Sequence, residues 1–249
     1  MIPAIPWYIT AIVVATNLAI AAGVWRLVAS ATPHRGVRLG TALFLGAWLG
    51  AALLLAPAPG SVLGQERFSL TPLIPLFASV SAAVVLIALR LSPALRQALA
   101  AIPLPALHGI QVYRVIGAVF VFLLALGQLP AHFAQPAGWG DIAIGVAAPV
   151  VALALARGVP GAVALAASWN VLGLLDLVVA TGMGTGLLAP YLAPWLGARV
   201  APAPALGVFP LVLVPLFAVP VSVMLHLVGL GRLAAERRLG SRLVAGHAR

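Results

Sequence analysis

The chain has 249 residues, 63% of them hydrophobic and 7% charged, with a mean hydropathy of +1.15 and a net charge of +10. A soluble globule carries about 25% charged residues, so this chain cannot cover itself with a wettable surface. The absence of cysteine excludes disulfides, thiolate metal sites, Fe–S clusters and cysteine nucleophiles.

Several apolar runs approach the roughly 20 residues that a helix needs to cross hydrocarbon. Lipid admits only helices or closed barrels as spanning structures, and these runs are apolar on every face rather than alternating. The sequence therefore predicts an all-α polytopic bundle of about seven spans. In chain order they run from about Trp7 to Leu27, Val37 to Ala56, Leu73 to Leu91, Ile110 to Leu129, Asp141 to Ala156, Gly161 to Ala180 and Val208 to Val228. MIPAIPWYIT lacks a basic leader region and reads as the outward start of a first retained span. Residues 1–230 form one transmembrane domain, and 231–249 a basic cytoplasmic tail.

The positive charge is explained by position rather than by a nucleic-acid partner. Fourteen arginines and no lysine are present. Eleven arginines fall on alternate connections and the tail, against two, Arg67 and Arg199, on the other side. Basic residues stay cytoplasmic, which predicts the N-terminus outside and the C-terminus inside, in a bacterial cytoplasmic (inner) membrane. Trp7, Tyr8, Trp139, Tyr191 and Trp195 fall at the outer interface, and Trp25 and Tyr113 at the inner one. Trp48 and Trp169 are exceptions near mid-membrane.

In the second span Gly46 and Gly50 form a small-xxx-small pair that would allow close backbone approach. Residues 92–109 read as a short interfacial helix stopped by Pro103, and residues 187–200 as its counterpart outside. The fourth span places Arg114, Gly117, Ala118, Val121, Ala125 and Gln128 on one α-helical stripe facing the bundle, with Phe120 off it. Pro210, Pro215 and Pro220 predict a kinked or locally opened seventh helix.

The chemistry-bearing residues gather in two layers. LPAHFAQPAGWGD, residues 129–141, reads as an outer loop whose Asp141 caps the fifth span. Asp176 lies inside the sixth span, about one turn from its outer end, and an intramembrane carboxylate is a functional candidate by default. Trp169 and Gly173 share its helix face. Gln128, His132, Asp141 and Asp176 could therefore line an outward-facing pocket that binds a ligand or proton, with Trp169 and Asn170 deeper. Asn17 and Asn170 suit interhelical amide hydrogen bonds. On the inner side, Arg114 either snorkels to headgroups or forms an ion pair or anion site near His226 and His108.

Retinal would need a Schiff-base lysine, which is missing. A transmembrane haem would need facing histidines, for which only His108 with His226 qualifies. No HExxH, GxSxG or phosphate-loop pattern appears, and the sequence calls for no catalytic residue, metal or cofactor. The segments YRVIGAVF, LGQLPAHFAQPAGWGD, WNVLGLLDLV and HLVGL resemble a group of bacterial multi-pass membrane proteins without an assigned activity. The resemblance spans roughly residues 113–230 and implies membrane class alone. Three function classes fit: a small-molecule or ion carrier, a non-catalytic membrane subunit or ligand-binding module, and, more weakly, an intramembrane enzyme acting on a lipid-like substrate through His132. Expected partners are the lipid bilayer, a small molecule or ion, and another membrane protein.

Overall fold

A computed structural model describes residues 5–56, 73–188, 191 and 203–247. Among the described residues every regular element is helical. Six helices are long and apolar enough to cross a membrane, and a seventh is obtained when a bent pair is counted as one span. The chain is a multi-pass helical membrane protein.

The elements are α1 (Trp7–Ser30), α2 (Arg35–Leu55), α3 (Leu73–Leu91), α4 (Pro93–Ala101), α5 (Leu104–Ala125), α6 (Ala131–Ala156), α7 (Ala162–Thr185) and α8 (Val219–His247). A 3₁₀ turn, Pro204–Gly207, and a π-helix, Val214–Ala218, lead into α8. Helix α4 turns by 103° from α3, as expected for an interfacial helix. Ser92 Oγ accepts from the Leu95 amide at 3.1 Å, and Pro93 occupies the first helical turn, where a missing N–H costs nothing. The expected helix over 187–200 lies almost wholly outside the described residues.

Glycines end two of the spans. Gly127 and Gly158 have φ of 68° and 60°. The amides that follow them reach back to Leu123 O at 2.9 Å and Ala154 O at 3.1 Å, the pattern of a left-handed helix cap.

Several expected boundaries and faces are corrected. The stretch 129–141 is not a loop: α6 begins at Ala131 and contains Pro136, so Asp141 sits within the helix rather than capping it. Proline and glycine are tolerated in membrane helices because neighbouring elements satisfy the freed backbone groups. Helix α7 continues to Thr185, which puts Asp176 ~14 Å below its outer end at 1.5 Å per residue, not one turn. Span α5 starts at Leu104, and its middle, Ile110–Gly117, is a 3₁₀ helix. With three residues per turn, positions i and i+3 eclipse, and the buried line is Gln111, Arg114, Gly117, Phe120 and Leu123. Phe120 is therefore on the bundle face, edge-on to Phe133 at 5.2 Å, while Ala118 and Ala125 are exposed. Gly46 and Gly50 mediate no close approach, since a Cβ at either would meet nothing within 4 Å among the described residues.

The proline-rich entry to α8 opens as expected, into a π-helix. Pro220 cannot donate to Leu216 O, four residues earlier. Trp48 of α2 donates its indole Nε1 to that carbonyl at 3.0 Å and packs edge-on against Phe217 at 5.4 Å. A mid-membrane tryptophan thus supplies the donor that the proline removed. Trp169 likewise donates across helices, to Ile144 O of α6 at 3.2 Å.

The orientation is open to direct test. Reporter fusions should place the connection at Gln128 outside and the Arg237 end inside; both on one side of the membrane would contradict the arrangement.

Candidate functional site

Arg114 is 1% exposed at the centre of the bundle, held on the 3₁₀ segment of α5. Burying a guanidinium requires that its charge be countered and its donors satisfied. Both conditions hold. Nε donates to Asp141 Oδ1 of α6 at 2.7 Å. Nη2 reaches the same Oδ1 at 2.7 Å and also Asp176 Oδ2 of α7. Nη1 donates to the Gly173 carbonyl at 3.3 Å and to His226 Nε2 of α8 at 3.0 Å. All five N–H donors of the guanidinium face acceptors.

These contacts fix the protonation of what lies beyond. Because His226 Nε2 accepts from Arg114, the ring is neutral and carries its proton on Nδ1. That N–H donates to Asn170 Oδ1 at 2.9 Å. Asn170 Nδ2 donates to Ala166 O at 2.7 Å and to His108 Nε2 at 2.9 Å. His108 in turn donates Nδ1–H to Leu104 O at 2.7 Å. The result is one directed chain, Arg114 to His226 to Asn170 to His108 to the Leu104 carbonyl, leading toward the expected cytoplasmic end of α5. The Trp169 ring covers it, 5.0 Å from His226 and 5.7 Å from His108 between centroids. Gln111 sits beside it with its side-chain amide 3.2 Å from His226 Nδ1.

Glycines let the elements come this close. A Cβ on Gly117 would lie 2.4 Å from Asp141 Cβ, one on Gly140 1.7 Å from Asp176 Oδ1, and one on Gly173 2.3 Å from the His226 ring. At Gly145 it would lie 2.6 Å from the Val115 amide nitrogen. Gly140, within the stretch 129–141, is thus a packing position beside the arginine's carboxylate partners.

Of the expected site residues, Asp141, Asp176, Asn170, Trp169, Arg114 and His226 meet in one place. Arg114 does not snorkel; it takes the ion-pair alternative. His132 and Gln128 stand elsewhere. His132 is nine residues before Asp141 on the same helix, ~13 Å along its axis, and Gln128 lies in the connection between α5 and α6. The two carboxylates therefore share an internal arginine rather than a loop-lined outer pocket. Asn17 stays local, donating to Val13 O at 2.8 Å. His108 and His226 are neighbours, but the Asn170 amide bridges them, leaving no room for a macrocycle between the rings.

Residues missed from sequence are Gln111, the Tyr113–Ser222 pair at 2.7 Å, and His108 as a full member of the chain. Their signal was faint but present: Gln111, Arg114 and Gly117 recur every three residues, a period that an α-helical reading passes over.

An intramembrane network of one arginine, two carboxylates and two neutral histidines, on four mutually packed spans, defines a polytopic membrane protein with a buried ionisable centre. Residues 71–234 match the family described as Domain of unknown function (DUF8737), and the chain belongs to that family. The matched region contains every residue of the network. No curated protein and no solved structure matches the chain.

Proposed function

We propose that the protein is a proton-linked carrier of a small molecule or ion in a bacterial cytoplasmic membrane, with Asp141 and Asp176 as its proton-binding pair. The observation that carries this reading is the convergence of both carboxylates on the single guanidinium of Arg114. With both ionised and the histidines neutral, the cluster has one excess negative charge. Isolated charge is costly at membrane depth, and a proton or small cation cancels it. Asp176 is the exchangeable member: Asp141 accepts from two nitrogens of Arg114, Asp176 from one. The neutral chain through His226, Asn170 and His108 extends polar groups toward the cytoplasmic side, as access from both faces requires.

The test is an acid jump applied to proteoliposomes on a solid-supported membrane, which reads charge displaced when protons enter the protein. Wild type should give a transient current that Asp176→Asn abolishes, while the variant keeps its detergent unfolding temperature. Asn retains the shape and an acceptor for Arg114 but carries no charge. A wild-type current equal to that of protein-free liposomes would end the proposal, as would an undiminished current from Asp176→Asn.

A further inference from the structure

Helix α8 separates two unlike environments. Ser222 and His226 face the polar network, whereas Val221, Met224, Leu225 and Val228 face a cleft lined also by α1, α2, α3, α4 and Leu107 of α5. The cleft has a volume of about 430 Å³, within the size range of specific ligand sites. Apart from Thr41 and Ser92, its walls are hydrocarbon, aromatic ring or glycine backbone. On α2 it extends from Gly36 to Trp48, ~18 Å along the helix axis. That is comparable to one leaflet's share, about half, of the ~30 Å hydrocarbon core. Gly36 and Gly40 keep this wall open, since a Cβ at either would meet nothing within 4 Å among the described residues.

The mouth is basic. It lies beside the connections 31–34 and 92–103, which the arginine asymmetry makes cytoplasmic. Arg38 follows the lining residue Val37 and donates Nε to Ala29 O at 3.1 Å. Arg96 stands between the lining residues Leu95 and Leu99, and its Nη1 donates to Leu89 O at 2.5 Å and Arg90 O at 3.0 Å. Both side chains are exposed and anchored to helix-end carbonyls, so their remaining donors are free to meet a headgroup beside the lining residues. A narrow apolar slot one leaflet deep, entered past fixed guanidinium groups, has the complementarity of an anionic amphiphile: chain in the slot, phosphate on the arginines.

We propose that this cleft is a binding site for an anionic phospholipid of the cytoplasmic leaflet, one acyl chain lying along α2 and the phosphate held by Arg38 and Arg96. The site is independent of the proton-binding reading, because α8 stands between them.

The experiment is native mass spectrometry of the full chain in detergent, incubated with equimolar phosphatidylglycerol and phosphatidylcholine bearing the same acyl chains. Wild type should retain phosphatidylglycerol about thirtyfold over phosphatidylcholine, the attraction two interfacial arginines provide. Gly40→Leu fills the slot from an open wall and should remove both adducts without lowering the unfolding temperature. The Arg38→Gln/Arg96→Gln pair should bring phosphatidylglycerol down to the phosphatidylcholine level. Equal retention of both lipids by wild type would overturn the proposal. So would a phosphatidylglycerol adduct unchanged in Gly40→Leu, or a dimer of this chain in place of any lipid adduct.

Discussion

Replacing Arg114 by methionine should unfold the protein in mild detergent or lower its unfolding temperature by more than any other single change in the network. The substitution leaves Asp141 and Asp176 without a counter-charge and strips donors from the Gly173 carbonyl and His226 Nε2. Removing one partner of a buried ion pair typically costs about 3–5 kcal/mol. That is a large part of the roughly 5–15 kcal/mol by which domains are stable. The cause is the stranded carboxylates rather than a lost contact, so neutralising them should restore much of the loss. Arg114→Met combined with Asp141→Asn and Asp176→Asn should therefore melt well above Arg114→Met alone, as followed by tryptophan fluorescence in detergent. Equal melting of the two variants would show that the charges do not interact as their geometry implies.

How much of this was legible in the sequence differs by level. Hydropathy foretold the bundle, because the bilayer imposes its own length rule on any chain that spans it. The interfacial α4 and the opened helix before α8 were legible for the same local reason: proline removes a donor wherever it stands. What failed was the meaning of glycine and proline inside apolar segments. In water, Pro136, Gly138 and Gly140 would mark a turn. In the bundle, Gly140 is the surface on which the Asp176 carboxylate rests, and Asp141 moves from helix cap to ion-pair partner. The candidate site was half legible. Asp176 stood out because charge in a span is costly enough to need a purpose, Asp141 as a helix cap, and Arg114 with His226 as an inner-side pair. Their convergence could not be read, because it depends on a 3₁₀ segment that rotates the face of α5 away from the α-helical stripe. The two tryptophans expected at mid-membrane carried information that composition alone hides: each donates its indole N–H to a backbone carbonyl of another helix.

The backbone approach of α6 to α5 yields the second large effect. At Gly145 an added Cβ would stand 2.6 Å from the Val115 nitrogen and 3.0 Å from the Arg114 carbonyl carbon. These are main-chain atoms of the 3₁₀ segment, so no side-chain rotation relieves the clash, and the segment itself must move. Overpacking of this kind costs about 1–3 kcal/mol or more. It also acts on the network, because Asp141 lies one turn before Gly145 on α6, and Arg114 is the residue pushed away. Gly145→Ala should therefore lower the unfolding temperature and diminish the acid-jump current together. The control is Gly50→Ala in α2, where a Cβ meets nothing within 4 Å among the described residues. There the better helix propensity of alanine, about 1 kcal/mol, should leave stability unchanged or raised. Measured side by side in detergent, the two alanines should move in opposite directions. A Gly145→Ala protein as stable as Gly50→Ala would mean that α6 does not press its backbone against the arginine-bearing turn, and the site built on that contact would lose its support.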